Sequence, residues 1–280
     1  MKVFKPTSAG RRQMSVIPYK GVTTTNKPHK ALTTGGKRDV GRNAFGRITT
    51  RHKGGGVKRL FRSVDFSYNK KDIPATIVSV EYDPNRTGFI GLVSYGDGEK
   101  RYVLLPKSAK VGETFVVSDN APIKLANRLK LKNIPVGTFV YNIEVKPGGG
   151  SKLVRSAGNY AEVIAHDGDH TLIKLPSTEV RKVYREGFAS VGSVSNEENW
   201  LVSIGKAGRS RWMGIRPTVR GSVMNPVDHP KGGGEGRQGR GRRREINVYG
   251  KPTGKGQKTR TPKKYSNIFI VSRRKVGKQR

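Results

Sequence analysis

The stretch PATIVSVEYDPNRTGFIGLVSYGDGEKRYVLLP, residues 74–106, decides the fold class. Its first ten residues form a β-branched run that ends at Asp83-Pro-Asn85, a turn signal. Residues 89–106 hold two more strand-like runs around Tyr95-Gly-Asp-Gly98, the signature of a hairpin. Working outward, ETFVVSD (113–119) offers a further strand, and IKLANRLKLKNIPVG (123–137) reads as a connector with at most one helical turn. A second series follows in FVYNIEVKP (139–147), YAEVIAHDGDHTLIKLPSTEVRKVY (160–184) and FASVGSVS (188–195). Turns at His166-Asp-Gly-Asp-His170 and Pro176-Ser-Thr-Glu179 split the long piece into three strands. Short strands at this spacing, with almost no helix, predict an all-β chain of small barrels. The grouping predicts two barrels in tandem, meeting near 125–137, with no internal repeat. Further on, Gly205-Lys-Ala-Gly-Arg-Ser-Arg-Trp212 has room for a short helix.

Charge divides the 280 residues differently. Lys and Arg number 56 against 20 Asp and Glu, a formal net charge of +36. Residues 1–60 carry +14 with Asp39 the lone acid, and 201–280 carry +19 against Asp228, Glu235 and Glu245. Residues 61–200 carry only +3. The centre has the balance of an ordinary soluble protein, and the two ends do not. Residues 1–60 and 214–280 show no sustained periodicity, so they read as loop that orders on a partner. Such self-repulsion calls for a polyanion. A membrane surface would also need an apolar face, which neither end shows. Nucleic acid fits, because counterion release from phosphates drives Lys and Arg onto it.

No cysteine is present, which removes disulfides, thiolate chemistry and Cys-based zinc sites. That usage fits a reducing cytoplasm. No apolar run is long enough to span a bilayer. MKVFKPTSAGRRQMS lacks the apolar centre of a secretory signal, and Pro6 and Gly10 break a transit-type helix, so the segment reads as mature protein.

Catalytic motifs are nearly lacking. Gly250-Lys-Pro-Thr-Gly254-Lys255-Gly256 is one residue short of a phosphate-binding loop and lacks its magnesium hydroxyl. No Gly-x-Ser-x-Gly elbow occurs. His166 and His170 have helical metal spacing, but the Asp-Gly-Asp between them makes a turn, so they read as solvated loop. No cofactor or metal is expected.

The basic stretches carry more. Arg47, Arg51, His52, Lys53, Lys58, Arg59 and Arg62 surround Gly54-Gly-Gly56, where glycine would let backbone N–H groups approach phosphates. Lys206, Arg209, Arg211, Trp212, Arg216 and Arg220 add an aromatic face that could stack on a base. Extended, glycine-broken tails suit the irregular grooves of RNA, and no helix-turn-helix or zinc finger competes. In MNPVDHPKGGGEGRQGRGRRR (224–244), His229 could be a general base or an RNA contact. A base needs an orienting partner. The adjacent Asp228 points away in extended chain, and Pro230 favours extension at His229, so RNA contact is the reading preferred.

These residues carry a resemblance. The chain resembles the family of the second protein of the large ribosomal subunit, in its bacterial form. The matching stretches are residues 41–49, Arg51-His-Lys-Gly-Gly-Gly56, Asp65-Phe66, Glu81–Thr87, Tyr95–Tyr102, Asn133–Gly137, Leu153–Gly158, Gly205–Arg209 and Arg216–Pro230. Met224-Asn-Pro-Val-Asp-His-Pro230 is the most specific. The resemblance implies an oligonucleotide-binding (OB)-like barrel at 61–125 and an SH3-like barrel at 126–200. Basic extensions at 1–60 and 201–280 would flank them. It implies a cytoplasmic, ribosome-bound structural protein, not an enzyme. The implied partners are large-subunit 23S rRNA, small-subunit 16S rRNA at the subunit interface, other ribosomal proteins and nearby tRNA. The implied roles are subunit association, tRNA binding and support of the peptidyl transferase region. The matched motifs add Arg42, Arg86, Arg155 and Asn225 to the candidate rRNA contacts, and the basic run after Pro230 adds Lys231, Arg237, Arg240 and Arg242. Two departures stand out. Lys231 replaces a histidine common in relatives, and 243–250 replaces a His-Pro-Val-Thr-Pro-Trp-Gly run, so family contacts are not carried over to 231–250. Two rival functions are an RNA-dependent catalyst using His229 and a nucleoid-type protein coating DNA.

Overall fold

A computed structural model describes residues 1–36, 38, 40–236, 244–254 and 259–274. They fall into two units. The first comprises Met1–Arg38, Lys58–Ala207 and Ile268–Arg280, and the second Asp39–Val57 with Gly208–Asn267.

In the first unit, β1 (Lys2–Val3) pairs with β2 (Ser15–Val16), and β3 (Thr33–Thr34) with β4 (Phe61–Arg62). The decisive stretch becomes β5 (Ala75–Glu81), β6 (Ile90–Tyr95) and β7 (Lys100–Leu104), joined by β8 (Thr114–Phe115) in an antiparallel sheet ordered β7-β6-β5-β8. Along β5, Ala75 and Ile77 point inward as period-two alternation requires. A bulge at Val78 then shifts the register against β6 and resets the phase, so that Ser79, Val80 and Glu81 are all buried. The core of this sheet gathers Ile77, Val93, Tyr95, Val103, Leu105 and Phe115. Each fully buried aliphatic or aromatic side chain stabilises by about 1.5–3 kcal/mol over its exposed form. Gly91 packs closely on Leu105: a Cβ there would lie 2.7 Å from the Leu105 side chain, which would have to shift.

The second sheet comprises β9 (Arg128–Lys130), β10 (Phe139–Tyr141), β13 (Ala161–Asp167), β14 (His170–Lys174), β15 (Val180–Tyr184), β16 (Phe188–Val191) and β17 (Ile270–Ser272). Between them, β11 (Ile143–Glu144) pairs with β12 (Ser151–Leu153). The main order is β17-β15-β14-β13-β10-β16-β9, over a core that includes Leu129, Leu131, Val140, Val163, Ile173 and Val183. The fold is therefore all-β, an OB-like part followed by an SH3-like part, with almost no helix. Among the described residues, no helix is long and apolar enough to cross a membrane.

Three sequence expectations are corrected. The supposed connector contains β9, whose Arg128 exchanges hydrogen bonds with Val116 and Ser118 of the first sheet's end. The C-terminal stretch contains β17, which pairs with β15. The N-terminal segment also lies on the first sheet. Tyr19 stacks on Tyr82 at 4.9 Å, Thr24 exchanges bonds with Val80, and the His29 amide donates to Tyr102 Oη at 2.7 Å. In each case isolated apolar or hydrogen-bonding residues make the contact, and such residues leave no periodic trace.

The two sheets meet at a buried cation. Arg128 donates to the Asn142 carbonyl at 2.7 Å, and its guanidinium lies 4.6 Å from the Tyr68 ring centre and 5.9 Å from that of Phe188. Asn142 Nδ2 donates to Tyr68 Oη at 3.0 Å. Burial pushes the Arg128 guanidinium pKa down and those of the Tyr68 and Tyr141 phenols up.

Candidate nucleic-acid interface

In the second unit, residues 41–50 close a small loop organised by Asn43. Its Oδ1 accepts from the Phe45 amide at 3.1 Å and the Arg47 amide at 3.0 Å. Gly46 supplies a φ of +74°, and Arg42 bridges to Ile48. The tip presents Phe45, 89 % exposed, with Arg42 and Arg47 exposed on either side of it. An open aromatic face between two guanidinium groups can stack a base while the cations hold its phosphates. Phe45 was not among the sequence candidates. Its signal was the Asn-x-Phe-Gly spacing, since an Asx turn leaves no core to receive the Phe side chain.

The glycine run has a different use from the one expected. The Gly54 amide donates to the Gly214 carbonyl at 2.8 Å, and Lys53 bridges to Ile215. A Cβ on Gly56 would lie 2.7 Å from the Gly214 nitrogen. These glycines let two backbones cross closely, so the Gly54 N–H is spent on protein instead of phosphate. The crossing leaves the side chains of Arg51 and Lys53 exposed.

A short helix, α1 (Ala207–Trp212), carries Arg209 and Arg211, and its last carbonyls are capped by the amides of Met213 and Gly214. Trp212 is about half exposed, and Arg216 and Arg220 are open to solvent. Next comes the His229 turn. The His229 amide reaches the Asn225 carbonyl at 3.3 Å, and the Gly232 amide reaches the His229 carbonyl at 2.8 Å. The ring is seated in two ways: Lys231 N–H donates to Nδ1 at 3.0 Å, and the ring occupies the space a Gly221 side chain would need. With Nδ1 accepting, the neutral imidazole carries its proton on Nε2. The segment is a folded turn, not the extended strand expected from Pro230. Lys231 Nζ is taken up by Glu245.

Two family models match the chain. The RNA-binding N-terminal domain of Ribosomal Proteins L2 matches residues 29–118, and the C-terminal domain of Ribosomal Proteins L2 matches residues 124–250. The chain belongs to the ribosomal protein L2 family. It is thus an RNA-binding structural constituent of the large ribosomal subunit, among rRNA and other ribosomal proteins. The L2 N-terminal match takes in the Phe45 loop and the first sheet. The L2 C-terminal match takes in α1, the His229 turn and the second sheet apart from β17.

The remaining candidates of this L2 chain lie in the first unit and differ in availability. Phe66 orients two of them, with the Arg86 guanidinium 5.3 Å and the Arg155 guanidinium 4.5 Å from its ring centre. Arg86 also holds the fully buried Asp83 through Nε at 2.6 Å. Arg62 points inward: it is buried, donates to the Leu60 carbonyl at 3.1 Å and lies 4.0 Å from Asp83. Arg59 donates to the Pro84 carbonyl at 2.7 Å, while Lys58 and Lys206 are exposed. Arg237, Arg240 and Arg242 lie outside the described residues, as does Lys255 of the near phosphate loop. His166 and His170 are not solvated loop. They flank the β13–β14 turn, His166 next to the end of β13 and His170 opening β14, where His166 bonds Thr171 Oγ1 and the Ile134 carbonyl and His170 packs on Tyr184.

Proposed function

We propose that the chain binds 23S rRNA as a structural element, supports contact with 16S rRNA at the subunit interface, and braces the tRNA-binding and peptidyl transferase region without itself catalysing a reaction. Within the ribosome its place is cytoplasmic. The OB-like part is assigned to 61–125 and the SH3-like part to 126–200, with 1–60 and 201–280 as extensions. The rRNA contacts are assigned to Arg42, Arg47, Arg51, Lys53, Lys58, Arg155, Arg209, Arg211, Trp212, Arg216, Arg220 and His229, with Phe45 added. Arg62 is left out because its charge is used internally.

The seating of His229 is the observation that carries the non-catalytic reading. A general base needs an available lone pair, and Nδ1 already accepts the Lys231 amide. Nε2–H is then a donor, which suits a phosphate or ribose oxygen. The test is single-turnover peptide transfer by fully assembled ribosomes carrying His229→Gln. A lost general base costs about 10²–10⁴-fold, whereas a lost hydrogen bond outside the chemistry should change the rate less than about tenfold. A thousandfold fall in correctly assembled particles would overturn the reading. Competition of duplex DNA against large-subunit rRNA, and co-sedimentation after a high-salt wash, test it against a nucleoid protein.

A further inference from the structure

The Phe45 loop has a second copy in the same unit. Residues 41–49 read Gly-Arg-Asn-Ala-Phe-Gly-Arg-Ile-Thr, and residues 245–253 read Glu-Ile-Asn-Val-Tyr-Gly-Lys-Pro-Thr. Asn, Gly and Thr fall at matching places, with an aromatic residue before each Gly and a cation after it. The sequence expectation of no internal repeat fails for this piece, because only three of the nine residues are identical.

The backbone repeats more closely than the sequence. Asn247 Oδ1 accepts from the Tyr249 and Lys251 amides, both at 2.9 Å, as Asn43 Oδ1 does from those of Phe45 and Arg47. The Gly250 amide donates to the Asn247 carbonyl and the Asn247 amide to the Lys251 carbonyl, both at 2.9 Å, matching Gly46 to Asn43 and Asn43 to Arg47. The Thr253 amide closes the frame on the Glu245 carbonyl, as that of Thr49 does on Gly41. Ile246 bridges to Pro252 where Arg42 bridges to Ile48. Gly250 has a φ of +73° against +74° at Gly46.

A turn fixed in this way leaves its aromatic residue no core to enter. Tyr249 is 76 % exposed, against 89 % for Phe45. A ring held open by a bonded backbone is pre-organised, so it loses little conformational freedom when a flat partner covers it. The charges around it select that partner. Arg244 and Lys251 are exposed, and Glu245, the single acid of 244–254, is taken up by Lys231. An open ring with a cationic rim suits a base and its phosphate. One difference changes the fit. Ile246 stands where the first loop has Arg42, and the Tyr249 hydroxyl adds a donor that Phe45 lacks.

We propose that the Tyr249 loop is a second stacking site for a single-stranded base of 23S rRNA, with Tyr249 against the base and Lys251 on its phosphate. The proposal rests on the reading of the Phe45 loop as a base-stacking element.

The test is filter binding of the full chain to isolated 23S rRNA, with no other protein present. Tyr249→Ala should weaken binding about fivefold to hundredfold, the range for one lost stack. Tyr249→Phe keeps the ring and should stay within about threefold of wild type, while Tyr249→Leu should fall with Tyr249→Ala. Each variant alters one exposed side chain, and circular dichroism checks that the sheets are unchanged. The losses from Phe45→Ala and Tyr249→Ala should multiply in the double variant, because two loops hold two bases. Wild-type binding by Tyr249→Ala, the outcome expected if the ring docks on a protein, would overturn the inference. So would wild-type binding by Tyr249→Leu, or a double variant no weaker than Phe45→Ala. If Phe45→Ala weakens binding and Tyr249→Ala does not, the reading of the first loop stands and the second site falls; if neither does, both fall.

Discussion

Replacing Gly221 by alanine should unseat His229, and the size of the effect can be worked out. A Cβ at position 221 would lie 2.4 Å from Cε1 and Nδ1 of the imidazole and 2.5 Å from Cγ. Carbon atoms pack at about 3.5–4.0 Å, so the ring must retreat by roughly 1 Å. It cannot do so and keep the Lys231 amide at 3.0 Å. Overpacking of this kind costs about 1–3 kcal/mol. The backbone works the other way. Gly221 opens a 3-10 turn without a positive φ, where alanine gains about 0.4–1 kcal/mol by restricting the unfolded chain. The net loss is then about 0.5–2 kcal/mol, which accelerates amide exchange at Lys231 and Gly232 about twofold to thirtyfold through local opening. In a His229→Ala background the clash is gone and only the backbone gain remains, so the same substitution should leave exchange unchanged or slower. A double-mutant cycle isolates that coupling. Equal acceleration in both backgrounds would refute the proposed seat.

Other expectations concern the core, the phenols and the cations. Arg128→Ala should lower stability by about 3–5 kcal/mol and Arg128→Met by less, because Met fills the volume but leaves the Asn142 carbonyl unbonded. Urea midpoints followed by circular dichroism check this, and an unmoved midpoint for Arg128→Ala would contradict it. Burial pushes the Tyr95 phenol up to about 12 from an ordinary 10.0. The unfolded chain therefore releases that proton first, and this contribution to stability is full below pH 10 and lost as pH climbs toward 12. Absorbance titration of wild type against Tyr95→Phe should show a phenol ionising late. Phe66→Ala removes the cation–π contact of about 0.5–1 kcal/mol that orients Arg155 and should weaken rRNA binding about twofold to fivefold in filter assays. Finally, log K should fall with log salt by about 0.7–0.9 per phosphate contact, and deleting 237–244 should shallow that slope.

The legible parts of the fold were those in which one local signal was enough. Asp97-Gly98 between β-branched runs fixed the hairpin of β6 and β7, and Asp-Gly-Asp at 167–169 fixed that of β13 and β14. β9 was hidden because Arg128, a residue expected at a surface, is its buried anchor. β17 was hidden because a three-residue strand takes its register from β15, not from its own pattern. At the interface, exposed cations could be read from composition, but their availability could not. Arg62 and Arg216 look alike in sequence, and only the proximity of Leu60 and Asp83 turns one of them inward. The Gly54-Gly-Gly56 run illustrates the same limit. Close backbone approach was the right inference, but the backbone approached is that of Gly214.

That pairing has a consequence in time. Gly54 and Gly214 stand about 160 residues apart, so at roughly 5–20 residues per second the ribosome making this chain releases one about ten to thirty seconds before the other. Throughout that interval the segment bearing Arg42, Phe45 and Arg47 exists without the strand it crosses. The two sheets of the first unit, apart from β17, are built from residues before position 192 and can form in the meantime. The aromatic-cationic surface of the second unit is therefore completed only after the rest of both sheets, β17 excepted, can have formed, and a chain cut short before Gly214 would leave that N-terminal segment without its partner.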